Sequence, residues 1–121
     1  MSETKSIAVV IGHHAYMSGR AFTALNFINT ALLEGHSLKV FLLEEGIFLA
    51  KKGQNPGNFA NAQEKLEAVI REGGDRIEVK ACGTCMKERG VAEEEFVDGV
   101  SRGTMHDLVN FVASCHKNIM F

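Results

Sequence analysis

No apolar run in this chain approaches the ~20 residues that a membrane-spanning helix needs, although 45% of its 121 residues are hydrophobic. The opening residues Met1-Ser-Glu-Thr-Lys5 are polar, and no apolar stretch with a cleavage site follows them as it would in a secretory leader. These two absences make a cytoplasmic protein with no membrane partner the expectation. Charge of one sign is lacking too. Thirteen Lys and Arg stand against 15 Asp and Glu, for a formal net charge of -2, and they are mixed along the chain. Without a basic stripe, nucleic acid is not an expected partner. Proline occurs once, at Pro56, and there is no repeat, linker or low-complexity segment. Cysteine occurs three times. In a reducing compartment, a close thiol pair in an odd set points to catalytic, redox or metal chemistry rather than a structural cross-link.

The length fits one domain, spanning residues 1–121, with enough chain to bury a core unaided by disulfides or metal. Ser6 to Gly12 (SIAVVIG) is short, apolar and β-branched, and reads as a buried strand. The loop His13-His-Ala-Tyr-Met17 follows. Ser18 is placed to cap a helix running to about Glu34, with Phe22, Leu25, Ile28 and Leu32 at helical spacing and Gly35 as its stop. Ser37 to Leu43 is a second strand. A less regular stretch from Glu44 holds a short turn at residues 47–50, and its apolar residues from Ile47 to Phe59 are a candidate interface. Asn61, with Glu64 three residues on, caps a helix through Arg71 that turns Leu66, Val69 and Ile70 inward. Arg76 to Ala81 is a third strand, followed by a short helix closed by Gly90 and a short strand near residues 96–100. Thr104, with Asp107 three on, starts a last helix whose buried face is Leu108, Phe111, Val112 and Cys115, and Asn118 to Phe121 ends the chain as a strand. Strands alternating with helices predict an α/β sandwich with a mainly parallel sheet. Ligands and reactive groups in such folds gather at the carboxyl ends of the strands. Three loops meet there, after Gly12, Leu43 and Ala81.

The third of those loops holds Cys82 and Cys85, in the run KACGTCMKERG. Cys82 falls where a strand gives way to a helix, among free backbone N–H groups and a dipole that favour an anion. A thiolate is such an anion, so the position marks Cys82 as a nucleophile, with Lys80, Lys87 and Arg89 adding positive charge nearby in sequence. The plain alternative is an idle buried cysteine. Cys85 lies one helical turn on and can face Cys82, either to resolve a disulfide or persulfide or simply to pack. Cys115 belongs to an apolar helical face and reads as core. Cys115-His116 is a weak candidate to join Cys82 and Cys85 around zinc, because structural zinc sites show two tight pairs. His13 and His14 are candidate supporting groups, for an anionic substrate or as acid–base groups, beside the plainer reading of solvated loop histidines. The segment Gly12 to Gly19 lacks both the G-K-[ST] ending of a P-loop and the G-x-G-x-x-G of a dinucleotide site, so no nucleotide is expected. Thioredoxin-like chemistry shares the strand, C-x-x-C, helix order. Here the motif comes after two βα units, and the lone proline lies upstream of it.

Several segments in order resemble the DsrE/DsrF-like family. IAVVIGHHAYMSGRAFTALNFINTALLEGH is similar to its first βα unit, VFLLEEGIFLAKKGQ to its second strand and turn, ACGTCMKERGV to its cysteine segment and SCHKNIMF to its closing strand. The resemblance covers nearly the whole chain. It implies a Rossmann-like three-layer α/β/α sandwich. It also implies that Cys82 takes up sulfane sulfur as a persulfide and passes it to another protein's cysteine, in a homo- or hetero-oligomer of trimeric or hexameric kind, with donor and acceptor proteins as partners. No organic cofactor is needed, since the cysteine sulfur is itself the carrier. The sulfur-relay subunits of the family carry one cysteine in this segment, so Cys85 is a departure. A dithiol–disulfide redox protein using Cys82 and Cys85, and a non-catalytic binding subunit of the same fold, are the other readings.

Overall fold

The computed structural model describes residues 3–57 and 60–121. Its strands are β1 (Ser6–Ile11), β2 (Ser37–Leu42), β3 (Ile77–Cys82), β4 (Val100–Gly103) and β5 (Lys117–Met120). Its helices are α1 (Arg20–Leu33), α2 (Ala62–Gly73), α3 (Gly83–Arg89) and α4 (Met105–Ser114), with a 3-10 turn over Glu44–Ala50 between β2 and α2. The strands form one sheet in the order β4-β3-β2-β1-β5. Every pairing is parallel, so the expected mainly parallel sheet is wholly so.

The order explains the layers. From β1 to β4 the chain steps across the sheet in one direction, and right-handed crossovers keep α1 and α2 on one face. The return from β4 to β5 runs the other way and carries α4 over the opposite face. Alternation along β2 divides its side chains accordingly. Phe41 meets Phe111 of α4 edge-on at 6.2 Å between ring centroids, while Val40 and Leu42 are fully buried on the other side. Leu25, Ile28, Leu66 and Val69 bring the inner faces of α1 and α2 down onto the sheet.

The local reasons match the residue types. Asn61 caps α2, its side chain accepting the Glu64 N–H at 3.1 Å. Thr104 and Asp107 close a reciprocal capping box on α4. Ser18 does not cap α1. Gly19 takes the cap position without a side-chain bond, and Ser18 Oγ accepts only the Arg20 N–H at 3.4 Å. Two further expectations are corrected. The fourth strand lies at Val100–Gly103, later than residues 96–100, because Phe96 and Val97 cross instead beside Lys51 and Ala50. The face of α4 read as buried is fully covered only at Phe111, with Leu108 and Cys115 packed partly buried against the core. Val112 is 37% exposed, and Met105 and Val109 point outward. Of the stretch read as a candidate interface, Ile47, Leu49 and Ala50 are fully buried, and Phe59 lies outside the described residues. Among the described residues no helix is long and apolar enough to cross a membrane.

Candidate functional site

The carboxyl ends of β1, β2 and β3 converge as the strand order requires. Gly46 lets them do so. A Cβ on it would stand 2.0 Å from the Ile11 carbonyl oxygen, so the turn after β2 lies directly on the end of β1 only because no side chain intervenes. The same turn holds Glu44 at φ 53°, the single positive-φ residue other than glycine among those described. A side chain in that region is uncommon and marks a backbone held by its surroundings. The strained peptide aims its amide at a thiol, for Glu44 N–H donates to Cys85 Sγ at 3.1 Å.

Cys82 ends β3 and caps α3. Its Sγ accepts the Cys85 N–H at 3.3 Å. The two thiols are free and buried, Cys82 at 8% and Cys85 at 6% exposure. Burial is the main cause that pushes the Cys85 thiol from an ordinary 9.0 up to about 11, and a hydrogen bond shared with Cys82 adds to it, against the opposing Glu44 amide. Cys85 therefore keeps its proton at neutral pH, facing a second sulfur that also accepts a backbone N–H.

Arg89 closes the side of this pair. Its Nε and Nη2 donate to Glu45 Oε2 at 3.1 and 2.6 Å, and its Nη1 donates to the Cys85 carbonyl at 3.2 Å. The hydrogen bond from Arg89 holds the Glu45 carboxyl below the usual carboxylate range, with His13 as a smaller electrostatic contribution. Of the three basic residues near the cysteines in sequence, then, Arg89 joins them in space. Lys80 turns to the sheet face and lies 3.9 Å from both Glu78 and Asp107. Lys87 lines a cleft on the far side of α3.

The two histidines part company. His13 is exposed on the side of Glu45. His14 turns away and packs its ring 5.3 Å from Phe48 and 5.7 Å from Tyr16. It lines a separate cleft of about 400 Å³ with Lys51, Gln54 and Asn55. Tyr16 is anchored there by its hydroxyl, which donates to Gln54 Oε1 at 2.7 Å and accepts the Ala62 N–H at 3.1 Å.

Zinc shared with Cys115-His116 is overturned by topology. His116 lies before β5, at the amino end of the sheet, where its Nδ1 accepts the Ser6 N–H at 2.9 Å. Cys82 lies at the carboxyl end of β3. Among the described residues no group of three or more His, Cys, Asp and Glu is placed to hold a metal ion. Sequence reasoning missed Glu44, Glu45 and Gly46. Only the glycine carried a signal, and its crowding by Ile11 is a contact across 35 residues that spacing does not reveal.

The parallel sheet, with paired thiols where β3 meets α3 and the turn after β2 folded over them, defines a Rossmann-like α/β protein with a buried C-x-x-C. Comparison with known proteins makes the assignment specific. The sequence profile of the DsrE/DsrF-like family matches residues 5–121, and the chain belongs to that family. It is 52% identical over 115 residues to an uncharacterized protein of Methanopyrus kandleri, covering 95% of this chain and 93% of the relative. It is 31% identical over 120 residues to protein YchN of Escherichia coli, covering 97% and 99%. The crystal structure of YchN superposes with a TM-score of 0.88 at 29% identity, over 98% of this chain and all of that one.

Proposed function

We propose that this protein is a sulfur carrier whose Cys82 accepts sulfane sulfur as a persulfide and hands it to the thiol of a partner protein. The observation that carries the reading is the asymmetry of the pair. Cys85 is held as a thiol near neutral pH, while Cys82 Sγ accepts the Cys85 N–H and shares a hydrogen bond with that thiol. Cys82 is thus the member of the pair that stands at the strand end with a backbone N–H on its sulfur and a retained thiol beside it. In the loading step the Cys82 thiolate bonds the outer sulfur of a donor persulfide, the donor's S–S bond breaks, and its electron pair leaves with the donor thiolate. In the unloading step a partner's thiolate repeats the exchange on the outer sulfur and Cys82 leaves as thiolate. No oxidant or reductant enters either step. Cys85 supports the carrier as a hydrogen-bond donor, and His13 belongs to the surrounding charge through Glu45. His14 faces another cleft and has no part in it.

Intact mass after incubation of the reduced protein with a sulfane-sulfur donor tests the proposal. Wild type gains one sulfur, Cys82→Ser gains none, and Cys85→Ser keeps at least part of the gain. Equal loading of wild type and Cys82→Ser would sink it. The hydrogen bond between the thiols also favours a second reading, a dithiol–disulfide couple. Loss of two hydrogens across Cys82 and Cys85 with no sulfur retained would select it.

We also infer that the protein self-associates. Met105, Val109 and Val112 recur along the outer side of α4, at 62%, 57% and 37% exposure. Ile119 and Met120 on the edge strand β5 add 36% and 62%. Exposed apolar side chains on these two elements suit a protein interface.

A further inference from the structure

The turn after β2 is anchored at both ends and strained between them. Leu43 N–H donates to the Ile11 carbonyl at 2.9 Å, and Gly46 N–H donates to the Leu43 carbonyl at 2.8 Å, with Gly46 itself wedged on Ile11. Glu44 and Glu45 alone lie between these anchors. Glu44 stands at φ 53°, where glycine is at ease, asparagine is tolerated and a longer side chain is disfavoured. Both acids are exposed, and both are tied to the buried Cys85. Glu44 reaches its sulfur through the amide, at 3.1 Å, and Glu45 reaches its carbonyl through Arg89, at 2.6 and 3.2 Å.

The two sulfurs are not equally fixed. Cys82 ends β3, paired with Gly103 of β4 in the sheet. Cys85 stands on the seven-residue helix α3, its sulfur shared between the Glu44 amide and a hydrogen bond with Cys82. A disulfide brings two sulfurs to ~2.05 Å, well inside any hydrogen-bond distance. With Cys82 held by the sheet, the side chain of Cys85 supplies the movement. A sulfur that swings over to bond Cys82 leaves the amide it held, and the left-handed peptide loses its partner.

We propose that Glu44 is a strained hinge set by the oxidation state of the thiol pair: closing a Cys82–Cys85 disulfide draws Cys85 Sγ off the Glu44 amide, and the peptide relaxes out of the left-handed region. The surface that a partner meets then differs between the dithiol and disulfide forms, although neither sulfur is exposed. The inference rests on the pair closing to a disulfide, not on transfer of sulfur to a partner. Two routes close it. A small-molecule disulfide takes two electrons from the pair and is cleaved to two thiols, while the two cysteine thiols give up their protons and join. Alternatively the Cys85 thiolate bonds Cys82 Sγ of a persulfide, the persulfide S–S bond breaks, and its electron pair leaves with hydrosulfide. Because the strain belongs to the dithiol form and is relieved in the disulfide, it shifts the equilibrium toward oxidation.

The test is the dithiol–disulfide equilibrium constant against glutathione and glutathione disulfide, read by acid quenching, alkylation of the remaining thiols and peptide mapping. Glu44→Gly removes the strain from the dithiol form and lowers the constant for oxidation roughly fivefold. Glu44→Asn lowers it by less. Glu44→Gln, which removes the charge and keeps the strain, leaves it unchanged. Equal constants in wild type and Glu44→Gly overturn the proposal, and so does a Glu44→Gln that falls as far as Glu44→Gly, since charge and not backbone would then be the cause. Amide hydrogen exchange by NMR reads the contact itself. The Glu44 N–H exchanges roughly tenfold faster in the disulfide form than in the dithiol form, while the Gly46 N–H, bonded to Leu43, keeps its rate in both. A Glu44 amide equally protected in the two forms overturns the proposal. So does a wild type that closes no Cys82–Cys85 disulfide at any glutathione ratio, a result that leaves sulfur loading of Cys82 standing. A hinge that responds in a protein that takes up no sulfur supports this inference and sinks the carrier reading.

Discussion

If Cys82 carries sulfur as proposed, Cys85 puts a pH limit on how long it holds it. Discharge inside the protein requires the Cys85 thiolate to attack Cys82 Sγ, forming a Cys82–Cys85 disulfide and expelling hydrosulfide, after which a dithiol reductant would restore the pair. With its thiol pushed to about 11, Cys85 is ionised in roughly one molecule in ten thousand at pH 7, against about one in a hundred for a thiol at 9.0. Internal discharge should therefore accelerate about tenfold per pH unit from pH 7 to 10 and vanish in Cys85→Ser. The assay is loading at pH 7, a jump to a series of higher pH values, acid quenching and intact mass against time. A rate that is flat with pH, or that levels off by pH 9, refutes the reasoning. The raised pKa has a consequence for folding as well. Folded Cys85 binds its proton more tightly than the unfolded chain does, so its contribution is complete below pH 9.0 and is lost as pH climbs through about 11. Each pH unit across that interval removes on the order of 1.4 kcal/mol, which comes to about 3 kcal/mol at most. The difference in denaturation midpoint between wild type and Cys85→Ser should shrink over the same interval.

Other perturbations read other parts of the structure. Gly46→Ala drives a methyl into the Ile11 carbonyl and should destabilise the fold by about 3 kcal/mol or more, seen as a lowered denaturant midpoint; a midpoint near wild type would mean that the turn after β2 does not lie on β1. Arg89→Met removes the bonds to Glu45 and to the Cys85 carbonyl and, with them, a positive charge that favours the Cys85 thiolate, and should lower the alkylation rate of Cys85; a rate equal to or above wild type would refute this. Val109→Glu places charge in the exposed stripe of α4 and should shift the protein to a smaller sedimentation coefficient, whereas an unchanged coefficient would show the stripe to be unpartnered.

The readable parts of this chain are those whose signal is local. The buried strands β1 to β3 announce themselves by β-branched runs, and the Asn61–Glu64 and Thr104–Asp107 caps by residue type at fixed spacing. The cysteine pair at the end of β3 follows from the same order. The position of β4 is not legible in this way, because an edge strand of Val-Ser-Arg-Gly, two of its four residues exposed, has no apolar alternation to show. α4 carries apolar residues on two arcs, and periodicity alone does not say which arc meets the sheet. Phe111 decides it by fitting against Phe41. The site's partners Glu44 and Glu45 come from another element of the chain, and adjacency in sequence misleads for His13 and His14, which point into different surroundings.

The last strand sits beside the first. β1 has β2 on one side as soon as residue 42 is made, but its other side waits for Lys117 to Met120, and Ser6 meets His116 across 110 residues. At the ~5–20 residues per second of synthesis, that gap lasts roughly 4–16 s. For that interval a nascent chain presents the apolar strand Ile7-Ala-Val-Val-Ile11 with one row of backbone groups unpaired, a template for any neighbouring strand. The order of the sheet thus leaves β1 open to misassembly during translation, before the thiol site has its full support. Only with β5 in place does the Phe121 carbonyl accept the Gly12 N–H at 2.9 Å and fix the loop that leads to His13.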